Sequence, residues 1–263
     1  MRSAILALCS MGILFLSACA TNPYTKFYHD RLDGKTLSQI PYIDASPCKP
    51  RVFGSHDLKT DAHTLYERNY ALIGESAFQG PPQDNSKVIK QAEKVGACVV
   101  LLHSDYLGTQ TTYMPWITPN APQTSNTTVT GDINATATTT TYGGAHTTYI
   151  PRSVSEYTYE AAFFAKYKPP IFGVLTTNLT PELREKLQRN TGAYVAVVID
   201  NSPAYDANIL EGDVITSFSG EEVTSGAQFM QLIHKHAGER VHIILIRDGT
   251  TKEFNIQSNK SSY

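Results

Sequence analysis

The chain has 263 residues, 41% of them hydrophobic, and sets Lys+Arg 22 against Asp+Glu 24 for a net charge of −2. That length suits one or two domains with a packed core, and a balance this near to neutral gives no reason to expect nucleic acid as a partner, which would need a concentrated basic face. Tyr 15 against Trp 1 tilts the composition toward half-exposed strands.

Residues 1–18 read as a targeting segment. Arg2 supplies the charged start, and the apolar run from Ala4 to Phe15 is too short to span a bilayer as a lone helix. It ends in Leu16-Ser-Ala-Cys19, which resembles a bacterial lipobox. By that resemblance the chain is cut before Cys19, whose sulfur and new amino terminus carry acyl chains such as palmitate. Acyl burial at about 0.8 kcal/mol per methylene makes the lipid bilayer a partner through Cys19. Ala20 stands where retention in the inner membrane usually has an Asp, so the outer membrane facing the periplasm is expected. An ordinary secretory signal ending in Cys is the alternative.

Cys48 and Cys98 are left in a compartment where disulfides persist. Cys98 also opens the apolar run Cys98-Val-Val-Leu-Leu102, where a free thiol serves as a small apolar side chain. The sequence leaves both states open, because pairing depends on geometry. Neither Cys has a ligand at short spacing, so no metal is expected, and no cofactor motif occurs.

Residues 19–47 read as a lipidated tether, interrupted by Pro23, Pro41 and Pro47, although Tyr24, Phe27, Tyr28 and Leu32 offer surface to pack. A first globular unit follows over 48–168. Arg51 to Gly54 predicts a strand. Asp57 to Arg68 predicts a helix with Leu58, Ala62, Leu65 and Tyr66 near one face. Tyr70 to Phe78 alternates like a strand that Gly74 weakens or bulges. Asp84 to Ser86 offers caps for a helix over 87–95, Gly96 ends it, and Cys98 to Leu102 is a buried strand. The order β-α-β-α-β predicts a small α+β sheet with its helices on one face. Leu65 to Gly74 and Gln91 to Val100 resemble a module recurring in bacterial lipoproteins of unassigned activity, which implies a location and a fold but no chemistry.

Residues 111–149 are Thr-rich. A disordered low-complexity loop and an exposed hairpin turning at Gly131-Asp132 and Gly143-Gly144 compete here. The expectation is a long arm, partly disordered at its tip, with Thr147 to Tyr167 returning to the sheet as a strand. Lys168-Pro-Pro170 is a stiff, short boundary.

The remaining stretch carries Pro170-Ile-Phe-Gly-Val174, Leu179-Thr-Pro-Glu-Leu183, Gly192-Ala-Tyr-Val195, Ser202-Pro-Ala204, Leu210-Glu-Gly-Asp-Val-Ile215, Gly220, Val223 and Arg247-Asp-Gly249. In this order they resemble a PDZ domain of the type found behind the high-temperature-requirement serine proteases, over 169–257. The resemblance implies a small β-sandwich or barrel capped by two helices. It also implies that an extended peptide adds as a strand and that its terminal carboxylate meets the amides of Phe172, Gly173 and Val174. Ile171 belongs to the same loop, and Gly173 is the position where a side chain blocks close approach. Across the groove, Phe229, Leu232 and Ile233 lie on the apolar side of a helix over 225–236. Phe172 and Phe229 point to an apolar last residue on the ligand.

A PDZ of this type usually accompanies a protease, but no Gly-x-Ser-Gly-Gly nucleophile turn exists, and Ser219 and Ser225 sit in turns. The eight His residues are scattered singly. The expected reading is therefore a non-enzymatic envelope lipoprotein that binds C-terminal or extended peptides of envelope proteins. The alternatives are a structural lipoprotein with a self-occupied groove and a diverged serine protease.

Overall fold

The computed structural model describes residues 21–121, 123–129, 135–141 and 143–262. Cys19, the targeting segment and the Gly131-Asp132 turn lie outside the described residues. The first unit runs α1 (Pro23–Lys26), β1 (Tyr28–Asp30), β2 (Arg51–Gly54), α2 (Leu58–Glu67), β3 (Tyr70–Gly80), α3 (Asn85–Val95), β4 (Val99–Pro119), β5 (Gln123–Val129), β6 (Ala135–Thr141) and β7 (Ala145–Lys166). Local chemistry sets the helix ends. The Asp57 carboxylate accepts from the amides of Lys59 and Thr60 at the head of α2. Asp84 does the same for Ser86 on α3, and Gly96 closes that helix at φ 75°.

The strands order as β1-β3-β7-β4-β2, with β2 parallel to β4 and both β3 and β4 antiparallel to β7. The helices lie on opposite faces, which corrects the expectation that they share one. Leu65 of α2 packs with Val99, Leu101 and Phe164, whereas Val88 and Ala92 of α3 pack with Ile73, Val100 and Phe163. The cause is topological. The chain crosses from β2 to β3 and then reverses direction to reach β4, and two right-handed crossovers of opposite travel put their helices on opposite sides.

The tether reading of 19–47 is also corrected. Tyr24, Ile40 and Ile43 are buried in the α3-side core. Ser76 Oγ donates to the Tyr24 carbonyl at 2.8 Å, and Asn22 Nδ2 donates to the Lys87 carbonyl at 2.7 Å. Gly74 shows why the segment docks. The register of β3 against β7 shifts between Leu72 and Gly74, and the Tyr28 ring occupies the space that a Cβ at Gly74 would need. Tyr24, Ile40 and Ile43 are thus core residues of this unit, whereas Phe27 and Tyr42 stay partly exposed.

Cys48 and Cys98 are joined as a disulfide with Cα atoms 5.5 Å apart. β4 and β7 run on beyond the sheet as a two-stranded ribbon, paired from Val99↔Phe164 to Pro119↔Ala145, and β5 pairs with β6 past its end. The Thr-rich stretch thus pairs as strands on both sides of residues 130–134, and the ribbon exposes Tyr113, Trp116 and Tyr149.

The second unit comprises β8 (Val174–Asn178), α4 (Pro181–Leu187), β9 (Ala193–Val198), α5 (Pro203–Asp206), β10 (Val214–Phe218), β11 (Glu221–Glu222), α6 (Gly226–Lys235), β12 (Arg240–Arg247) and β13 (Thr250–Gln257). Its sheet orders as β13-β12-β10-β9-β8, with β11 beside β10, so β8 is an edge strand. The rings of Phe172, Phe218 and Phe229 meet edge to face at centroid distances of 5.8, 5.9 and 5.3 Å in the centre of the core. Asp248-Gly249 turns β12 into β13, both with positive φ, the two-residue turn whose twist suits a hairpin. The two units touch where the Asp200 amide donates to the Glu67 carbonyl at 2.8 Å and His63 Nε2 lies 3.2 Å from the Glu211 carboxylate. Among the described residues no helix is long and apolar enough to cross a membrane.

Candidate functional site

The loop from Pro170 to Gly173 leads into β8, and its carbonyls are all engaged. Ile171 accepts from the Asn259 amide at 2.8 Å, Phe172 from Ala204 at 2.9 Å and Gly173 from Ile199 at 2.9 Å. Because every carbonyl is held by the body of the unit, the amides are left over. Among the described residues none accepts from the N–H of Phe172 or Gly173. The Ile199-to-Gly173 bond fixes the ladder phase. Val174 stands opposite Val198 in a non-hydrogen-bonded pair, so its N–H faces the free edge of β8. Three successive donors in one turn form a concavity suited to an anion.

Gly173 sits at φ 97°, and a Cβ there would run into Cβ and Oγ of the buried Ser202. The glycine is required by the loop itself, a reason separate from ligand access. Gly173→Ala is therefore expected to lower stability by about 1–3 kcal/mol through strain alone, read as a fall in the urea midpoint. A Gly173→Ala variant as stable as the parent would remove this account of the loop.

Beside the three amides lies a cavity of about 410 Å³. Ile171, Phe172, Gly173, Val174 and Ile233 line it. Phe229 and Leu232 do not; they are buried in the core of the unit, Phe229 within the aromatic triad. Met230 and His234 line the cavity in their place. Helical spacing could have found both, since 230, 233 and 234 stand at i, i+3 and i+4. The other wall was beyond reach of any motif. Tyr42, Asn69, Tyr167 and Lys168 come from the first unit and its boundary. Asn69, itself at φ 65°, donates from Nδ2 to the carbonyls of Tyr167 and Lys168 at 3.2 Å each, which ties that wall to the loop.

Elsewhere, His63, Glu67 and Glu211 gather ligand-type atoms within 4.8 Å of one another at the seam between the units. The Asp213 carboxylate, fully buried, takes both Nε and a terminal nitrogen of Arg247 at 2.6 Å and the Leu210 amide at 2.9 Å. Hydrogen bonding to Asp213 outweighs partial burial and holds the Arg247 pKa above its ordinary value. This pair fastens the α5–β10 corner to β12.

The comparisons with known proteins fall on this unit. Residues 170–257 match the PDZ domain family model. Periplasmic serine endoprotease DegP of Escherichia coli K12 is 32% identical over 112 residues, covering 41% of this chain and 24% of that protein. Serine protease Do-like HtrB of Bacillus subtilis is 32% identical over 109 residues, covering 37% of this chain and 24% of that protein. This chain therefore spans about a quarter of the length of these relatives. Among solved structures, the HtrA3 PDZ domain bound to a phage-derived ligand aligns at 21% identity with a TM-score of 0.31, covering 34% of this chain and 85% of that one. Residues 170–257 thus form a PDZ domain that resembles those of the HtrA-type serine proteases.

Proposed function

We propose that this protein is a non-catalytic adaptor of the cell envelope whose PDZ domain captures the C-terminal ends of partner proteins. The observation that carries the reading is the set of three unclaimed amides at Phe172, Gly173 and Val174, opening onto an apolar cavity at the end of an edge strand. A carboxylate satisfies the amides through charge-assisted bonds, and an apolar terminal side chain fills the space bounded by Ile171, Met230 and Ile233. The periplasmic relative supports an envelope location, and Cys19 would anchor the chain by acylation, in the outer membrane facing the periplasm.

The test is selection of randomised octapeptides with a free carboxyl terminus on the detergent-solubilised full chain. A consensus ending in an apolar residue is expected. Amidating the terminus should weaken it at least about tenfold, the value of losing one to two charge-assisted hydrogen bonds. Binders indifferent to amidation would overturn the carboxylate role. Anchoring is checked separately: Cys19→Ser should move the protein from the membrane fraction to the soluble fraction, and an unchanged distribution would overturn it.

A further inference from the structure

Family-type binding lays an extended segment along the whole first strand, and here the groove is not open along its length. An added strand stands about 4.8 Å from its neighbour, yet the first turn of α6 already occupies that place beside Thr176. A Cβ built on Gly226 would lie 3.1 Å from Thr176 Oγ1 and 3.4 Å from the Thr176 carbonyl oxygen. The Gly226 amide also donates to Asn178 Oδ1 at 3.1 Å, pinning the helix to the far end of β8. Any larger residue there would press on Thr176, so glycine favours so close an approach. The free edge available to a ligand is reduced to Val174 and the loop before it. At that end the groove widens into the cavity, and its outer wall is formed by Tyr42 and Tyr167, whose rings are 5.8 Å apart.

We infer that the domain reads a short C-terminal stub, the last two or three residues of a polypeptide, and that the first unit completes the pocket through Tyr42 and Tyr167. The inference rests on the carboxylate-capture reading above and adds to it the length of ligand and the second wall. The carboxylate takes the loop amides, the apolar terminal side chain enters between Ile233 and Met230, and the preceding residue meets the tyrosine pair. Upstream residues leave the groove over the Tyr42 ring, which is half exposed, instead of continuing along β8. Selectivity then lies in the final residues, and the first unit has a direct part in it.

The experiment uses the full chain and the octapeptide selected on it, shortened from its amino end to a pentapeptide, a tripeptide and a dipeptide, each acetylated. The tripeptide is expected to keep the octapeptide affinity within about threefold. Tyr42→Ala should weaken the tripeptide by about five- to tenfold, as for a truncated aromatic anchor, whereas Tyr42→Phe, which keeps the ring against Tyr167, should retain both the affinity and the melting temperature of the parent. A gain of more than about tenfold between tripeptide and octapeptide would overturn the inference alone, since α6 would then have opened to admit a full strand. Tripeptide affinity that Tyr42→Ala leaves unchanged would overturn the role of the first unit. Absence of any carboxylate-dependent binder would overturn it together with the reading on which it rests.

Discussion

Asp213→Ala is expected to cost the second unit about 3–5 kcal/mol, the usual consequence of removing one partner from a buried ion pair. Asp213 is fully buried and its two oxygens satisfy two nitrogens of Arg247 and the Leu210 amide. Removing the carboxylate leaves the Arg247 side chain, only 16% exposed, without its counter-charge. It also opens the Leu210 amide at the corner that leads into β10. Urea denaturation of the full chain is the measurement, with hydrogen exchange across Val214–Phe218 to show that the loss is local to this unit. Arg247→Lys should recover only part of the loss, because one ammonium cannot reproduce the bidentate fork. A fall of less than about 1 kcal/mol for Asp213→Ala would place the pair among surface bridges of little weight.

The second large effect is expected from the disulfide. The bond between Cys48 and Cys98 closes a separation of 50 residues, for which loop-closure entropy gives about 4 kcal/mol at 25 °C. The loop contains β2, α2, β3 and α3, the greater part of the first unit's β-α-β-α-β run. The bond also ties the strandless stretch before β2 to the head of β4, where the Arg51 amide donates to the Cys98 carbonyl at 3.0 Å. A Cys48→Ser/Cys98→Ser double variant, or the parent under dithiothreitol, should unfold at markedly lower urea. The hydrogen-exchange protection of β9, β10 and β12 should persist, because no part of the loop contributes to their core. Equal midpoints with and without reductant would show that native packing alone holds the segment.

The groove gains its interest from its relation to the first unit. In an isolated domain of this type the cavity beside the loop would open sideways to solvent. Here Asn69 holds the boundary carbonyls of Tyr167 and Lys168, and the Asp200 amide bonds to the end of α2, so the units present one composite wall.

Much of this was legible in the sequence, for reasons that are local. Asp84 and Gly96 bracket a helix because a carboxylate satisfies free amides and a glycine tolerates positive φ, and both conditions are met within a few residues. The ordered residues from Pro170 to Gly249 pointed to the domain type. Tertiary structure decided the rest. Opposite faces for α2 and α3 follow from the direction of chain travel across the sheet, which no periodicity encodes. Tyr24, Ile40 and Ile43 looked like part of a tether because a segment broken by prolines shows no period, and only the α3-side face supplies the surface that buries them. The pairing of Cys48 with Cys98 required two Cα atoms to come within 5.5 Å. The division of the α6 residues between core and cavity depended on which side Phe218 occupies. Sequence thus determines what is settled by neighbours along the chain, whereas the closed end of the groove at Gly226 and its wall at Tyr42 exist only because distant segments pack together.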